Sequence, residues 1–297
     1  MAASPTRLNR SATAILGALL VLASVVGAPA TKASAANAVF HVGHLNILSS
    51  ISHDRFVSDL KLITSQAALV GLNEVGGRKA FLRDWANQNG WHFYAPEPNA
   101  ASQDALLAKK SMFNVVNQGS VFACDTNGPD EVPPARYTNW VRYTHIASGR
   151  TVFHINAHAN AHIDDNGSPY NLPRTECAEK QFRDIRDLAQ AKEGTGQVIV
   201  SGDLNVDFTA DKRVQYAHFP YTVLDERDNP DNLPGLRSCY STHGVKGTGT
   251  LGGRHIDYIY FWKRVEAYRH MWMTDYQIVG GTESDHQGVR ATFAIEL

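Results

Sequence analysis

The sequence predicts an α/β layered sandwich, two packed β-sheets flanked by helices, on three observations. Strand-like and helix-like segments alternate in both halves of the chain, and each helix-like segment carries one apolar face. No internal repeat or long low-complexity linker interrupts the chain after its N-terminal stretch.

Residues 40–47 read as a β-rich, buried strand. Over 55–65, Phe56, Leu60 and Ile63 recur at i, i+4 and i+7 and predict a helix. A short apolar strand over 67–72 ends at Asn73-Glu74, and a helix over 78–89 stops before Gly90 with Phe81 and Trp85 turned inward. Strand texture follows at 91–94, 105–109, 113–122, 137–146 and 151–156, with Ser148-Gly149 as a hairpin turn between the last two. A helix over 175–191 leads to an apolar strand at 198–201, and strands at 256–262, 265–273 and 287–295 complete the chain.

The N-terminus reads differently. Arg7 and Arg10 precede an almost wholly apolar run from Ala12 to Val26, followed by Ala28-Pro29-Ala30 and Ala33-Ser34-Ala35, which suit signal peptidase. The run is shorter than the ~20 residues of a membrane span, so residues 1–30 are expected to be a cleaved leader, with the cut falling as late as about residue 38. A secreted, soluble protein with one domain over 39–297 is the expectation. Removing the leader takes two arginines and no acid, leaving 26 basic against 29 acidic residues. Attraction to nucleic acid by overall charge is thereby excluded, and any such role needs a local site with metal. Three cysteines, Cys124, Cys177 and Cys239, follow the leader, and their spacing matches no zinc motif.

Five clusters carry chemistry. Ser201-Gly202-Asp203-Leu204-Asn205 follows a strand, and Asp203 and Asn205, two apart, point the same way from an extended backbone. They could hold a water and a phosphate oxygen, or simply cap the strand as an Asx turn. Glu74 at a strand tip suits a hard cation, though taken alone it reads more readily as a solvated charge at a loop. Asp257 opens an apolar strand, where a carboxylate is costly unless paired. Asp285-His286 places an imidazole beside a carboxylate, the makings of a general base. His154, His158 and His162 would stack to bind zinc only if helical; the β-rich 151–155 argues instead for a strand ending near Asn156, with His154 in the core, His158 in the loop beyond and His162 on the surface. Gly247 to Gly252 matches GxGxxG formally but precedes a strand, so it reads as a flexible loop beside the site and not as a dinucleotide fingerprint.

Asn46 in HLNI, Glu74 in LNEV, His158 in INAHAN, Asp203 and Asn205 in GDLN, Asp257 in HIDYI, and Asp285-His286 in SDH occur in this order. The series resembles the endonuclease/exonuclease/phosphatase superfamily over residues 40 to 297. The resemblance implies a four-layer α-β-β-α sandwich with two mostly antiparallel sheets, and metal-dependent phosphodiester hydrolysis. It implies that Glu74 holds Mg²⁺ (or Mn²⁺, or Ca²⁺), with Asn46 and Asp285 as further ligands or phosphate-site partners. Asp203 and Asn205 would position the water and the scissile phosphate, and His286, oriented by Asp257, would act as base or cationic stabiliser. His158 would serve the leaving oxygen, with Glu97 as its candidate brace. The chain departs from the family pattern at His44-Leu45, where Thr-Trp is usual, and at Asn73, where Gln is usual.

If 137–146 and 151–156 form a hairpin, the segments on either side of it lie at one end, which predicts a Cys124–Cys177 disulfide and a free Cys239. Extracellular nucleic acid is the first expected substrate, because His158 with Glu97 matches the deoxyribonuclease-like branch. A phospholipid is second, with Phe261, Trp262, Tyr268 and Trp272 as either membrane-touching aromatics or, more often for such residues, ordinary core. A catalytically silent binding domain is the alternative of another class. Nothing in the sequence calls for a protein partner, so a monomer is expected.

Overall fold

The computed structural model describes residues 37–125, 135–225, 235–262 and 270–297. The expected leader, Tyr268 and the first part of the strand expected over 265–273 lie outside the described residues.

From the N-terminus run β1 (Asn37–Asn46), α1 (His53–Gln66), β2 (Leu69–Asn73), α2 (Lys79–Gln88), β3 (Trp91–Tyr94) and β4 (Ala105–Lys109). Three long strands follow: β5 (Phe113–Asp125), β6 (Ala135–His145) and β7 (Thr151–His158). A two-residue ribbon, β8 (Asp164–Asp165) with β9 (Ser168–Pro169), leads into α3 (Leu172–Glu193) and β10 (Gln197–Asp203). Then come α4 (Phe208–Val214), α5 (Pro220–Val223), β11 (Leu236–Ser238), α6 (Cys239–His243), β12 (Asp257–Trp262), β13 (Met271–Val279) and β14 (Gly288–Glu296).

These strands form two six-stranded sheets, ordered β13-β14-β1-β2-β4-β3 and β11-β12-β10-β7-β6-β5. Both follow one plan. A parallel pair, β1 with β2 and β7 with β10, sits at the centre, and every other pairing is antiparallel. The expected sandwich of mostly antiparallel sheets is borne out.

Period-two alternation assigns the layers. In β1, Phe40 and Val42 join the large core that also holds the second sheet, while Leu45 packs with Phe56, Leu60 and Ile63 of α1. Helix α1 begins where Ser52 Oγ accepts from Arg55 N at 3.4 Å. In α2 the fully buried residues are Leu82 and Ala86; Phe81 and Trp85, expected to point inward, are only half-buried at the margin of the same cluster. Helix α3 covers the second sheet with Phe182, Ile185 and Ala189, and starts at Leu172 because Pro173 is preset for a first turn.

The layer between the sheets changes character along the strands. One end is apolar, with Phe40, Phe113, Phe261 and Phe293 in ring contact. Towards the other end, Ser201 Oγ donates to Asn156 Oδ1 at 3.0 Å, and Asn156 Nδ2 reaches across to the carbonyls of Leu72 and Ala105 at 2.9 and 3.1 Å. Gly71 faces this link; a Cβ there would stand 2.2 Å from Ser201 Oγ, so only glycine fits. His154 bonds Ser201 Oγ at 2.8 Å and is fully buried, a core histidine as expected. Since residues 151–158 are a strand, His154 and His158 are ~13 Å apart along it, and the zinc reading of the three histidines is discarded.

Candidate active site

Strand register brings the site together. Asp203 lies opposite His158 on one neighbouring strand and opposite Asp257 on the other, so all three side chains share one face of the second sheet. In the first sheet, Asn46 lies opposite Asn73, and Glu74 follows directly. The two rows meet across the seam at its polar end.

Asp203 is the hub. Its Oδ2 accepts from Asn46 Nδ2 at 3.0 Å and lies 3.5 Å from His158 Nε2 and 3.7 Å from His286 Nε2. Its Oδ1 accepts from the Asn205 backbone N at 2.9 Å, and its own N donates to Asn73 Oδ1 at 3.0 Å. Asn46 Nδ2 also donates to Glu74 Oε1 at 3.2 Å, and Glu74 Oε2 accepts from Ser49 N at 3.1 Å. Asn205 Nδ2 donates to the Ala159 carbonyl at 3.0 Å. Asp257 bonds His286 Nδ1 at 2.8 Å through one oxygen and His44 Nε2 at 3.1 Å through the other.

Burial sets the protonation states. It opposes charge on His286, but Asp257, then Asp203 and Asp285, outweigh it and raise the ring to about 10. Burial would raise the Asp257 carboxyl, yet His286 and then His44 hold it below the ordinary carboxylate range. Burial, seconded by Asp257, pushes Asp203 up to about 7. Burial, then Arg136 and His286, pushes His158 well below the usual histidine value, so at neutral pH it carries no charge.

The residues fit a hard cation. Asn46 turns its amide NH₂ to two carboxylates, which leaves its buried Oδ1 with no hydrogen-bond partner among the described residues. That oxygen, with Glu74 and Asp285 in the same cleft, makes an all-oxygen donor set of the kind Mg²⁺ takes. Ligand atoms of Asp203, Asp257 and His286 also lie within 4.8 Å of one another, a group that could hold a metal ion.

The cleft, about 400 Å³, is lined by Asn46, Glu74, His158, Asp203, Asn205, Asp285 and His286, and Asp257 braces His286 from beneath. Eight expected residues therefore converge. Glu97 does not. Its side chain is 73% exposed and pairs with Lys79 Nζ at 2.5 Å, because α2 presents that lysine to it; His158 has Asp203 beside it instead. His158 itself is the last residue of β7, not part of the loop beyond. His162 is exposed as expected but lines the cleft, with Gln103, Arg136 and Arg254.

Several contributors went unnoticed in the sequence. Asp104 Oδ1 accepts from Asn73 Nδ2 at 2.8 Å and so steadies the amide that holds Asp203; like Asp257, it is an acid bordering an apolar strand, a signal that could have found it. Asp59, an acid on the apolar stripe of α1, accepts from the backbone N of Glu283 and Ser284 at 2.7 and 2.9 Å and shapes the turn that presents Asp285 and His286. Arg136, at the start of β6, bonds Asn160 Oδ1, and Arg254 pairs with Asp164 at 3.0 Å; neither carried a sequence signal.

The Endonuclease/Exonuclease/phosphatase family model matches residues 44–286. No curated protein matches the sequence. Among solved structures, an endonuclease/exonuclease/phosphatase family protein from Bacteroides thetaiotaomicron is similar at TM-score 0.65 and 15% identity, over 89% of this chain and 98% of that one. D. rerio TDP2 complexed with single strand DNA product is similar at TM-score 0.63 and 13% identity, over 86% and 98% of the two chains. The Bacteroides thetaiotaomicron mannosyl-6-phosphatase is similar at TM-score 0.62 and 16% identity, over 86% and 99%. At such identities the likeness speaks for the fold, while the family model spans most of the chain and the full set of motif residues converges at one cleft; the chain belongs to the endonuclease/exonuclease/phosphatase family.

Proposed function

We propose that the protein is a secreted, divalent-metal-dependent phosphodiesterase acting on extracellular nucleic acid. The observation that carries the reading is the single carboxylate, Asp203, shared among Asn46, His158 and His286 at the floor of one cleft. Mg²⁺ or Mn²⁺ held by Glu74, Asn46 and Asp285 would neutralise charge on the phosphate oxygens. Asp203, its carboxyl pushed up to about 7, would accept the proton of the attacking water, and Asn205, lining the same cleft, would contact the phosphate beside it. His286, held cationic by Asp257, faces the charge that grows on phosphorus, and His158, kept neutral, presents its ring to the leaving oxygen.

Nucleic acid is preferred because Arg136, Arg254 and His162 line the same cleft and offer cationic or hydrogen-bonding contacts to a polyanion. Of the aromatics invoked for a phospholipid, Phe261 and Trp262 are buried and do not support that alternative, whereas Trp272 is half-buried. The deciding assay is hydrolysis of plasmid DNA and of sphingomyelin with Mg²⁺, with and without EDTA, by wild type and His286→Ala. EDTA-sensitive cleavage of DNA, lost in the variant, is expected. Cleavage of sphingomyelin alone would move the substrate to phospholipid, and inactivity of a folded sample on both across several metals would favour a silent binding domain.

A further inference from the structure

His44 is fully buried on the inward face of β1, where its ring does not touch the cleft. Its Nε2 is 3.1 Å from Asp257 Oδ1, while Asp257 Oδ2 is 2.8 Å from His286 Nδ1. An ionised carboxylate can only accept hydrogen bonds, so both imidazoles must present an N–H to it. His44 therefore carries its proton on Nε2 and His286 carries one on Nδ1. This fixes the ring plane of His286 and turns its Nε2 towards Asp203.

We propose that His44 is a positioning residue for His286: by occupying Asp257 Oδ1 it stops the carboxylate from rotating and holds Oδ2 in line with His286 Nδ1. The backbone of Asp257 is already fixed, its N donating to Thr250 Oγ1 at 3.3 Å and its carbonyl accepting from the Tyr240 hydroxyl at 2.5 Å. What remains free is the torsion of the carboxylate, and a single donor on one oxygen leaves that torsion soft. Two donors on opposite oxygens close it. Without His44, Oδ1 would be a buried charged acceptor with no partner among the side chains described, and rotation towards another donor would draw Oδ2 off His286.

The proposal rests on the phosphodiesterase reading for its kinetic arm and on hydrogen-bond geometry alone for its spectroscopic arm. His44→Leu keeps the volume and removes the donor; His44→Gln keeps an amide N–H at the Nε2 position. With Mg²⁺ and bis(4-nitrophenyl) phosphate, His44→Leu should lose about 10- to 100-fold in kcat, as expected for partners behind a catalytic group. KM should stay within about twofold, because the ring makes no contact with substrate. His44→Gln should recover kcat to within about threefold of wild type. In ¹⁵N-histidine-labelled protein, the His286 Nδ1–H resonance, identified by its loss in His286→Ala, should persist in wild type and His44→Gln and vanish or broaden in His44→Leu. Equal impairment of both variants, a change confined to KM, or an unaltered resonance in His44→Leu would overturn the proposal. If His44→Leu does not fold, His44→Gln decides, since loss of its kcat or of the resonance refutes a role made of one donated hydrogen bond. A wild type inactive on every phosphodiester sinks the functional reading alone and leaves the resonance to judge His44.

Discussion

Glu74 and Asn205 both hold the left-handed backbone conformation, at φ 62° and 56°, and stand at the same cleft, one at the end of each sheet's central parallel pair. Neither is glycine; asparagine adopts this conformation readily, whereas at Glu74 it costs of order 1–3 kcal/mol and persists only because the surroundings impose it. At Glu74 that strain marks a place where side-chain placement outweighs local stability.

Glu74→Gly should relieve that strain. Thermal unfolding of the metal-free variant should occur at or slightly above the wild-type temperature, while phosphodiesterase activity falls by more than about 100-fold. A variant that is both clearly less stable and still active would contradict the assignment of Glu74 to the cation.

His158 and Glu97 should separate in mutagenesis. His158→Ala is expected to lower kcat by ~10²–10⁴-fold, whereas Glu97→Gln should leave it within about twofold, because an exposed pair with Lys79 contributes little. Comparable losses in the two would restore Glu97 as a brace.

Stability should fall with rising pH through one buried acid. Burial first, and the nearby Asp164, Asp225 and Asp207 after it, raise the Asp211 carboxyl to about 8, against the bond its Oδ2 accepts from Tyr221 N at 2.8 Å. The native state therefore keeps a proton that the unfolded chain releases from about pH 4 upward, so this contribution is complete below pH 4 and lost as pH rises to about 8. Asp211→Asn should flatten the dependence and, at about pH 8.5, unfold ~2–4 °C above wild type. Parallel melting curves for the two proteins across the range would refute it.

The disulfide should matter more than the third thiol. Cys124 and Cys177 are bonded across a separation of 53 residues, and Cys239 is free and buried, its thiol pushed up to about 12 by burial. Reduction, or Cys124→Ala, should cost about 4 kcal/mol by the loop-closure argument. An alkylating reagent should label no cysteine in the native protein, one after denaturation, and three after reduction as well. Native labelling of Cys239 would place it elsewhere.

Most of the site was legible because its residues end strands, and strands reveal their ends through Gly, Asn and Asp. Asn46, Glu74, Asp203 and Asp257 each sit at or beside a strand terminus, so fixing the strands nearly fixed the site. Glu97 misled because proximity in sequence to β4 says nothing about which way a loop turns. Helices α4, α5 and α6, of seven, four and five residues, are too short for periodicity to register. His44 was visible only as a mismatch to the family, since what it does depends on a partner 213 residues away.

The seam between the sheets also bears on how the protein could fail. Every ligand and base is referenced to one of two separate frameworks, and the link from Asn46 to Asp203 spans the gap at 3.0 Å. A slip of one framework past the other by a single step, ~3.3 Å, would leave each half folded and every motif intact while abolishing the cavity's alignment. Gly71, with no room for even a methyl group, lets the two come close enough for Asn156 Nδ2 to bond the Leu72 and Ala105 carbonyls, the contacts that would resist such a slip.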